Sequence, residues 1–425
     1  MPAPWGREAP RRTWHDAVAY DPKGTLARGT MKITKFEDFH VDGGWDTYSF
    51  LKITTDQGLC GWAEFKESRR RGLAALIHGL GTSLIGEDPR AIGRIDATLY
   101  SQIRTTAGGL QSNAIGAIIN ACLDIKGKAF GVPVHELFGG ALRQRIPVYW
   151  SRCGVMRARC AAFFDGNVIE APAVRSLDDL KAAGREARER GFPALKTNVL
   201  IFDERGGRQY TPGSARGDGH PELNLPEAVV EALIAQLTAL RAGAGPQVRL
   251  IVDLNFNYKP EGFRRLARKL EPFELMWLEM DLYEPKALSL IRQSTATPIG
   301  SLETILGRRA LKPYLDQHCV DVAIIDPQYN GVPEAVRMAA MADAYEVNVA
   351  SHNFSGPLSA VISAHFASVV PNFRIMEFDV DEVPWKPKLL TNPATIENGM
   401  FVPPAGPGWG TDIDEAVLRA HPAKM

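Results

Sequence analysis

Eight short apolar runs, most of them about 25 residues apart, fill the second part of the chain. The runs are IPVYW (146–150), PALKTNV (193–199), VRLIVD (248–253), LMWLE (275–279), PIGSLE (298–303), DVAIID (321–326), VNVAS (347–351) and RIMEF (374–378). Helical patterns separate them, for example Ser176 before LDDLKAAGREARERG, with Asp179 three residues on and Gly191 at the end. Buried strands that alternate with helices predict a parallel β/α barrel. No glycine motif that would bind a phosphate follows any run, so a nucleotide-binding sheet is not favoured.

The remaining segments predict further units around this barrel. Residues 1–30 are rich in Pro, Arg, Gly and Ala without periodicity, which indicates an extended arm. Residues 31–145 show alternating strand patterns and then helical ones, which predicts a separate α+β domain. The barrel takes residues 146–380, interrupted by a polar stretch at 201–224 that predicts a long loop. Residues 381–425 are rich in Pro and Gly yet apolar, so we expect them to pack back onto the α+β domain.

Charge and cysteine content exclude several classes of protein. The chain has 49 basic and 49 acidic residues, whereas a protein that binds nucleic acid or a membrane surface needs a basic excess. No run of 18 apolar residues suggests a membrane span. The five cysteines are scattered, odd in number and in no metal-ligand spacing, which is typical of reduced thiols in a cytoplasmic protein.

Ionisable residues recur in phase at the carboxyl ends of the predicted strands. They are Lys196, Asp253, Glu279, Glu303, Asp326, His352 and Glu377, and the last six are separated by 26, 24, 23, 26 and 25 residues. Each one alone is explained equally well as a helix cap or a satisfied core residue. Closing a barrel brings all these ends together, however, and the repulsion among several carboxylates is costly without a cation. The pattern therefore predicts a metal site.

The residue types indicate which metal and which chemistry. Asp253, Glu279 and Glu303 are hard oxygen donors, which suit Mg²⁺ or Mn²⁺, and Asn255 is placed to hold them by hydrogen bonding. Asp326 and His352 end adjacent strands, so the carboxylate would fix the histidine tautomer and make it a general acid or base. With Lys196 on the opposite wall, the arrangement suits removal of a proton next to a carboxylate.

The segments LIVDLN, MWLE, PIGSLE, IIDPQYNG, VASHNFSG and RIMEF resemble those of the mandelate racemase subgroup of the enolase superfamily. The resemblance covers about residues 31–415 and implies a modified (β/α)7β TIM-type barrel with an N-terminal α+β capping domain. It implies that Asp253, Glu279 and Glu303 bind magnesium and that Asp326 and His352 form the catalytic dyad, a pattern that this superfamily uses to form an enediolate. It further implies that Glu377 bonds a substrate carboxylate, that the loop from His40 to Trp45 closes over the substrate, and that the protein is a dimer or octamer.

The strand at 193–199 departs from one version of this pattern. Racemising members of the subgroup carry Lys-x-Lys here, and the second lysine is the base opposite the histidine. This chain has Lys196 but Asn198, and an asparagine cannot accept or deliver a proton. Sugar-acid dehydratases of the subgroup resemble the Lys-x-Asn arrangement, although several carry a histidine at the position of Asn255, so the second acid stays open.

The preferred hypothesis is a Mg²⁺-dependent dehydratase of an aldonate or aldarate that yields a 2-keto-3-deoxy acid. His352 would be the main acid or base, Lys196 would bind the carboxylate, and sugar contacts would come from Asn198, Tyr149, Ser151, Arg152 and Asn353. The nearer alternative is a cycloisomerase or epimerase that uses the same enediolate, with Lys196 or Tyr210 as second acid. The alternative of another class is a non-catalytic barrel that binds sugar acids.

Overall fold

The structure is a computed structural model that describes residues 31–68, 71–166, 168–204, 206–214 and 223–423. The predicted N-terminal arm, residues 1–30, lies outside the described residues, as do residues 205 and 215–222 of the predicted loop. No helix in the described part of the chain is long and apolar enough to cross a membrane.

The N-terminal domain is an antiparallel meander with three helices. Its strands are β1 (Ile33–Asp42), β2 (Thr47–Thr55) and β3 (Cys60–Phe65), and its helices are α1 (Leu73–Gly81), α2 (Ile92–Gln102) and α3 (Gly109–Phe130). Helix α3 is buried along most of its length because small residues let neighbouring backbone approach closely. At Gly127, for example, a Cβ atom would lie 2.8 Å from the Cα atom of Gly408.

Eight parallel strands then close into a barrel. They are β4 (Ile146–Ser151), β5 (Ala194–Asn198), β8 (Arg249–Asp253), β9 (Trp277–Glu279), β10 (Ile299–Ser301), β11 (Val322–Ile325), β12 (Asn348–Ser351) and β13 (Phe373–Asp379). Each pairs with the next in parallel, and closure comes from β13 beside β4, with Glu377 opposite Tyr149. All eight apolar runs form the strands that their pattern predicted, so the capped-barrel fold is confirmed.

Helices lie between the barrel strands, as their sequence periodicity predicted. They are α4 (Val155–Arg159), α5 (Ala161–Asp165), α6 (Leu177–Glu189), α7 (Glu227–Ala244), α8 (Pro260–Lys269), α9 (Pro285–Arg292), α10 (Arg308–Asp316), α11 (Pro327–Asn330), α12 (Val332–Asp343) and α13 (Pro357–Val369). Helix α6 begins with the expected capping box, in which the Ser176 side chain accepts from the Asp179 N–H and the Asp179 carboxylate from the Ser176 N–H. No α-helix follows β13 before residue 414, which gives the modified (β/α)7β order.

The stretch at 201–224 is more ordered than a plain loop. It contains a hairpin of β6 (Leu200–Asp203) and β7 (Gly206–Gln209), which lies beyond the end of β5. The prediction of an unstructured loop was therefore wrong for its first half, because the apolar LIF triplet pairs across the turn that follows it.

A layer of apolar side chains fills the barrel interior below the strand ends. Its members are Tyr149, Ala194, Ile251, Trp277, Val322, Ile324, Ala350 and Ile375, all buried. The rings of Tyr149 and Trp277 meet edge to face with centroids 5.7 Å apart. This layer forms an apolar floor that excludes water below the polar side chains at the strand ends.

The C-terminal segment contains β14 (Thr395–Glu397), β15 (Met400–Val402) and α14 (Glu415–Ala420). Strand β15 pairs antiparallel with β4 of the barrel. Other contacts reach the N-terminal domain: the Trp409 indole N–H donates to the Trp62 carbonyl at 2.8 Å, and the Asp42 N–H donates to the His421 carbonyl at 2.9 Å. On these contacts we propose the division into a capping domain (31–145), a barrel (146–380) and a C-terminal segment (381–425).

Candidate active site

A cavity of about 600 Å³ opens at the carboxyl ends of the barrel strands. Its lining contains most of the residues that the sequence singled out: Arg152, Lys196, Asn198, Asp253, Asn255, Glu303, His352 and Glu377. Glu279 and Asp326 lie directly behind this lining, in contact with Lys196 and His352 respectively. Barrel closure therefore brings together side chains that are up to 225 residues apart in the sequence, from Arg152 to Glu377.

His352 and Asp326 form a tight pair. The His352 Nδ1 atom lies 2.6 Å from Asp326 Oδ2, and the other carboxylate oxygen accepts the N–H groups of Gln328 at 2.7 Å and Tyr329 at 2.9 Å. Because an ionised carboxylate can only accept, Nδ1 keeps its proton, and Nε2 is the atom that gains or loses one. Burial lowers the pKa of His352, but Glu303, Asp326 and Glu377 outweigh burial and raise it to about 10.

Lys196 lies at the centre of a buried ion network. Its side chain is 2% exposed, and its Nζ atom is 2.9 Å from both Glu279 Oε1 and Glu377 Oε1. Burial disfavours the ammonium, yet these two carboxylates raise the pKa of Lys196 well above its ordinary value. Lys196 is therefore a fixed positive charge on the cavity wall.

Two amides hold Asp253, one from the neighbouring strand β5 and one from the residues that follow Asp253 itself. The Asn198 Nδ2 atom donates to Asp253 Oδ2 at 3.0 Å, and the Asn255 Nδ2 atom lies 2.9 Å from both carboxylate oxygens. Asn255 has φ +47°, a left-handed conformation that asparagine tolerates better than most residues, and its own N–H also donates to Asp253 Oδ1 at 2.8 Å. The expected hydrogen-bonding support of Asp253 by Asn255 is thus seen, and Asn198 provides the same support.

Glu377 is held from three directions. Beyond Lys196, it accepts from the Ser151 hydroxyl at 2.5 Å and from the Asn353 N–H at 3.0 Å. Despite burial, Lys196 and His352 lower the pKa of Glu377 to about 2, so the group is ionised and acts as an acceptor. Arg152, next to Ser151, forms a two-pronged ion pair with Asp379 and stacks over the Phe354 ring.

Other predicted residues lie outside the cavity lining, among them Asn353, Ser151 and Tyr210 as well as His40, Trp45 and Tyr149. The His40 ring bonds Ser49 at 2.9 Å and Asp38 at 2.8 Å within the capping domain, so it is a structural histidine of that sheet. Trp45 packs against Phe163 and Phe164, behind Arg152, in a narrow recess beside the cavity. Tyr149 is fully buried in the apolar floor, with Lys196 5.5 Å above its ring.

Sequence reasoning missed several side chains of the cavity. Asp281 is 3% exposed, lines the cavity, and accepts no hydrogen bond within the described part of the chain. Burial, and then Glu303 and Asp253, raise its pKa well above the usual range. Arg159 and Arg208 line the outer wall, the latter from hairpin strand β7. The only sequence signal for Asp281 was its position two residues after Glu279, where strand alternation continues.

The donor set fits a divalent cation. Burial and then the neighbouring acidic groups raise the pKa of Glu279 to about 8, although Lys196 opposes the rise. The same causes raise the pKa of Glu303, where His352 and Lys196 oppose the rise. Such a group of hard oxygen donors, with the buried carboxylate of Asp281 left without a donor, suits Mg²⁺ or Mn²⁺. Among the described side chains, no three His, Cys, Asp or Glu groups already converge on one point, so ion binding would draw them together.

Comparison with known proteins places the chain in a family. Residues 179–417 match the model of enolase C-terminal domain-like proteins, and residues 43–139 match that of the mandelate racemase / muconate lactonizing enzyme N-terminal domain. The chain belongs to the mandelate racemase / muconate lactonizing enzyme family of the enolase superfamily. The resemblance seen in the strand-end motifs is therefore confirmed.

Named members of this family align with nearly the whole chain. D-galactonate dehydratase of Ralstonia nicotianae is 30% identical over 403 residues, covering 91% of this chain and 94% of its own. D-xylonate dehydratase of Haloferax volcanii is 27% identical over 418 residues, covering 96% and 94%. A candidate L-alanine-DL-glutamate epimerase from Burkholderia xenovorans, solved with magnesium and fumarate, is 44% identical with a TM-score of 0.89, covering 92% of this chain and 96% of that one.

Proposed function

We propose that this family member is a Mg²⁺-dependent dehydratase of an aldonate or aldarate, forming a 2-keto-3-deoxy acid. The observation that carries the proposal is the His352–Asp326 pair, whose basic nitrogen belongs to a cavity lined by carboxylates and by the fixed charge of Lys196. The relatives named as dehydratases of D-galactonate and D-xylonate, which align over most of the chain, support a hydro-lyase.

The reaction requires loss of a proton from C2 and of hydroxide from C3. In its neutral form His352 takes the C2 proton on Nε2, and Asp326 holds that form in the tautomer that leaves this atom free. The C3–O bond then breaks, and the imidazolium returns its proton to the departing hydroxyl, which leaves as water. The enol that remains tautomerises to the 2-keto acid. One base on one face is sufficient for this sequence, which agrees with an asparagine at position 198.

The remaining side chains bind and orient the substrate. Asp253, Glu279 and Glu303 would hold Mg²⁺, or Mn²⁺, with the Asn255 amide fixing Asp253. A bound ion would stabilise the negative charge that develops on the substrate carboxylate when the C2 proton leaves. Lys196 attracts that carboxylate electrostatically.

Sugar hydroxyls would meet mostly acceptors and amides. As an ionised group Glu377 accepts a hydrogen bond, so we assign it to a hydroxyl rather than to the carboxylate that the resemblance suggested. The buried side-chain amide oxygen of Asn353, Oδ1, has no partner among the described atoms and would accept another hydrogen bond. Asn198 and Arg152 complete the contacts from the cavity wall.

The second candidate is an epimerase or cycloisomerase that forms the same enediolate. The 44% identity to a structure named as a candidate epimerase favours it. Such a reaction needs a proton donor on the substrate face opposite His352. The side chain on that wall, Asn198, is an amide that donates to Asp253 and cannot act as this acid. A barrel that binds a sugar acid without reaction is disfavoured because a binder does not require the oriented His352–Asp326 pair.

The test is a screen of the protein with Mg²⁺ against aldonic and aldaric acids, with 2-keto products measured as semicarbazones. A dehydratase gives a product that disappears with EDTA and in His352→Asn, while His40→Asn, a matched histidine outside the cavity, keeps its activity. Incubation of the same acids in D₂O, followed by NMR, separates the alternatives. Exchange or inversion at C2 without a keto product would replace the dehydratase by the epimerase, and no exchange at all would leave only a binder.

A further inference from the structure

The loop between β12 and α13 carries His352 and is held by both domains. Within the barrel, the Asn353 N–H donates to Glu377 at 3.0 Å and the Ser355 hydroxyl donates to Gln328 at 2.8 Å. The next residue, Gly356, is held by the capping domain instead. Its N–H donates to Glu64, which lies on β3, 292 residues away in the sequence.

Glu64 closes the N-terminus of α13 from outside the barrel. Helix α13 has Gly356 as its N-cap, and this residue has no side chain with which to accept the free N–H groups of the first turn. The Glu64 carboxylate accepts two of them, from Gly356 and, at 2.9 Å, from Ser359. A Cβ atom at position 356 would lie 2.6 Å from Glu64 Oε1, so glycine is what allows this approach.

A second capping-domain residue holds the same loop by its side chain. Lys66 lies on the same segment as Glu64, pairs with Asp46 at 2.7 Å, and places its ammonium 4.5 Å from the centre of the Phe354 ring. The Phe354 ring in turn lies 6.5 Å from the His352 ring, centre to centre. The capping domain thus touches the loop at residues 354 and 356 and the first turn of α13 at residue 359, all within seven residues of the histidine.

We propose that Glu64 is a positioning residue, which sets the place of His352 by capping α13 from the other domain. The inference rests on the proposed role of His352 as the acid or base. A buried carboxylate, 1% exposed, that accepts two backbone N–H groups fixes the loop end at Gly356, and three residues separate that end from His352. Proton transfer is sensitive to displacements of about 1 Å, so loosening this end lowers the turnover rate more than substrate binding.

The test compares Glu64→Gln with Asp124→Asn. An amide keeps the shape of the carboxylate but turns one of its two acceptors into a donor, so one backbone N–H loses its partner. Asp124 is a matched control because it is also buried and accepts two backbone N–H groups, from Trp62 and Trp409, outside the cavity lining, although it also pairs with Lys128 at 2.7 Å. We expect kcat to fall about tenfold or more in Glu64→Gln with KM changed less than about threefold. Asp124→Asn should lose comparable stability and keep its kcat.

Two further measurements separate positioning from general stability. We expect the His352 Nδ1 proton, in its short bond to Asp326, to give a far-downfield NMR signal, which should broaden or disappear in Glu64→Gln and persist in Asp124→Asn. Gly356→Ala should act like Glu64→Gln, and the two substitutions together should cost less than the sum of their separate effects. An unchanged signal and unchanged kcat in Glu64→Gln, or strict additivity with Gly356→Ala, would overturn the proposal. The NMR and stability measurements test the positioning role of Glu64 even if the wild-type protein dehydrates no sugar acid. Failure of the dehydratase proposal can therefore be told apart from failure of the positioning proposal.

Discussion

Replacing Asp326 by asparagine should invert the tautomer of His352 without disturbing the fold. The orientation of the new amide is set by two backbone donors, the N–H groups of Gln328 and Tyr329, which bond Asp326 Oδ1 at 2.7 and 2.9 Å. The amide oxygen must take this place, which leaves the amide NH₂ facing His352 Nδ1. That nitrogen then accepts, and the ring proton moves to Nε2, the atom that should act as the base.

The size of the effect follows from the alternative orientation. Turning the amide over would restore the active tautomer but would direct an NH₂ group at both backbone N–H groups. Each buried donor left without an acceptor costs about 1–3 kcal/mol, so the flip costs about 2–6 kcal/mol. At about 1.4 kcal/mol per factor of ten, the active tautomer falls to between about one in 30 and one in 10⁴. We expect a loss of about 10³ in kcat, which is also the range that general acid–base catalysis contributes.

The assay is the rate of 2-keto acid formation, or of C2 proton exchange with D₂O, at saturating Mg²⁺. Because every hydrogen bond of the Asp326 side chain keeps a partner in the asparagine variant, its midpoint of thermal unfolding should stay close to that of the wild-type protein. An unchanged midpoint with about 10³-fold lower exchange supports the tautomer mechanism. Retention of more than about a tenth of the wild-type rate would refute this mechanism. A variant whose Nε2 carries a proton could keep that rate only if Nε2 were not the base.

Two other substitutions test the cavity and the core. Asp281→Asn removes one of four neighbouring carboxyl groups that a bound cation would hold ionised, so Mn²⁺ affinity, measured by EPR titration, should fall about tenfold, whereas Asp178→Asn at the surface should leave it unchanged. Burial lowers the pKa of His365 to about 3, and its Nδ1 atom already accepts the His135 N–H at 3.2 Å. The unfolded chain therefore binds this proton more readily, and stability is lost as the pH falls below about 6.5, by about 2 kcal/mol at pH 5. In His365→Asn the denaturant midpoint should lose this part of its pH dependence, and equal pH dependence in both proteins would contradict the assignment.

The barrel and its strand ends were predictable because the physical signal is local. A strand that is buried on both faces must be apolar, so the first charged residue after an apolar run shows where the strand ends. Asp281 gives no such signal, since a carboxylate after Glu279 and Met280 looks the same whether it lines a cavity or caps a helix. The pairing of Glu64 with Gly356 was equally hidden, because it joins two domains across 292 residues and only the folded packing brings them together. His40 was assigned from a family loop, and the local geometry of β1 turns its ring toward Asp38 and Ser49 instead.

The two asparagines beside Asp253 support the proposal that proton transfer takes place from one side of the cavity. A lysine at position 198 would place a positive charge where the Asn198 amide now bonds Asp253 Oδ2 at 3.0 Å, and it would compete with a divalent ion for that carboxylate. An amide satisfies the same oxygen as a donor and leaves its negative charge available. Asn255 repeats this arrangement from the other side of Asp253. Under the proposed function the wall opposite His352 would hold the cation, and a reaction that needs only one base, such as elimination of water, is the chemistry that this division of roles would allow.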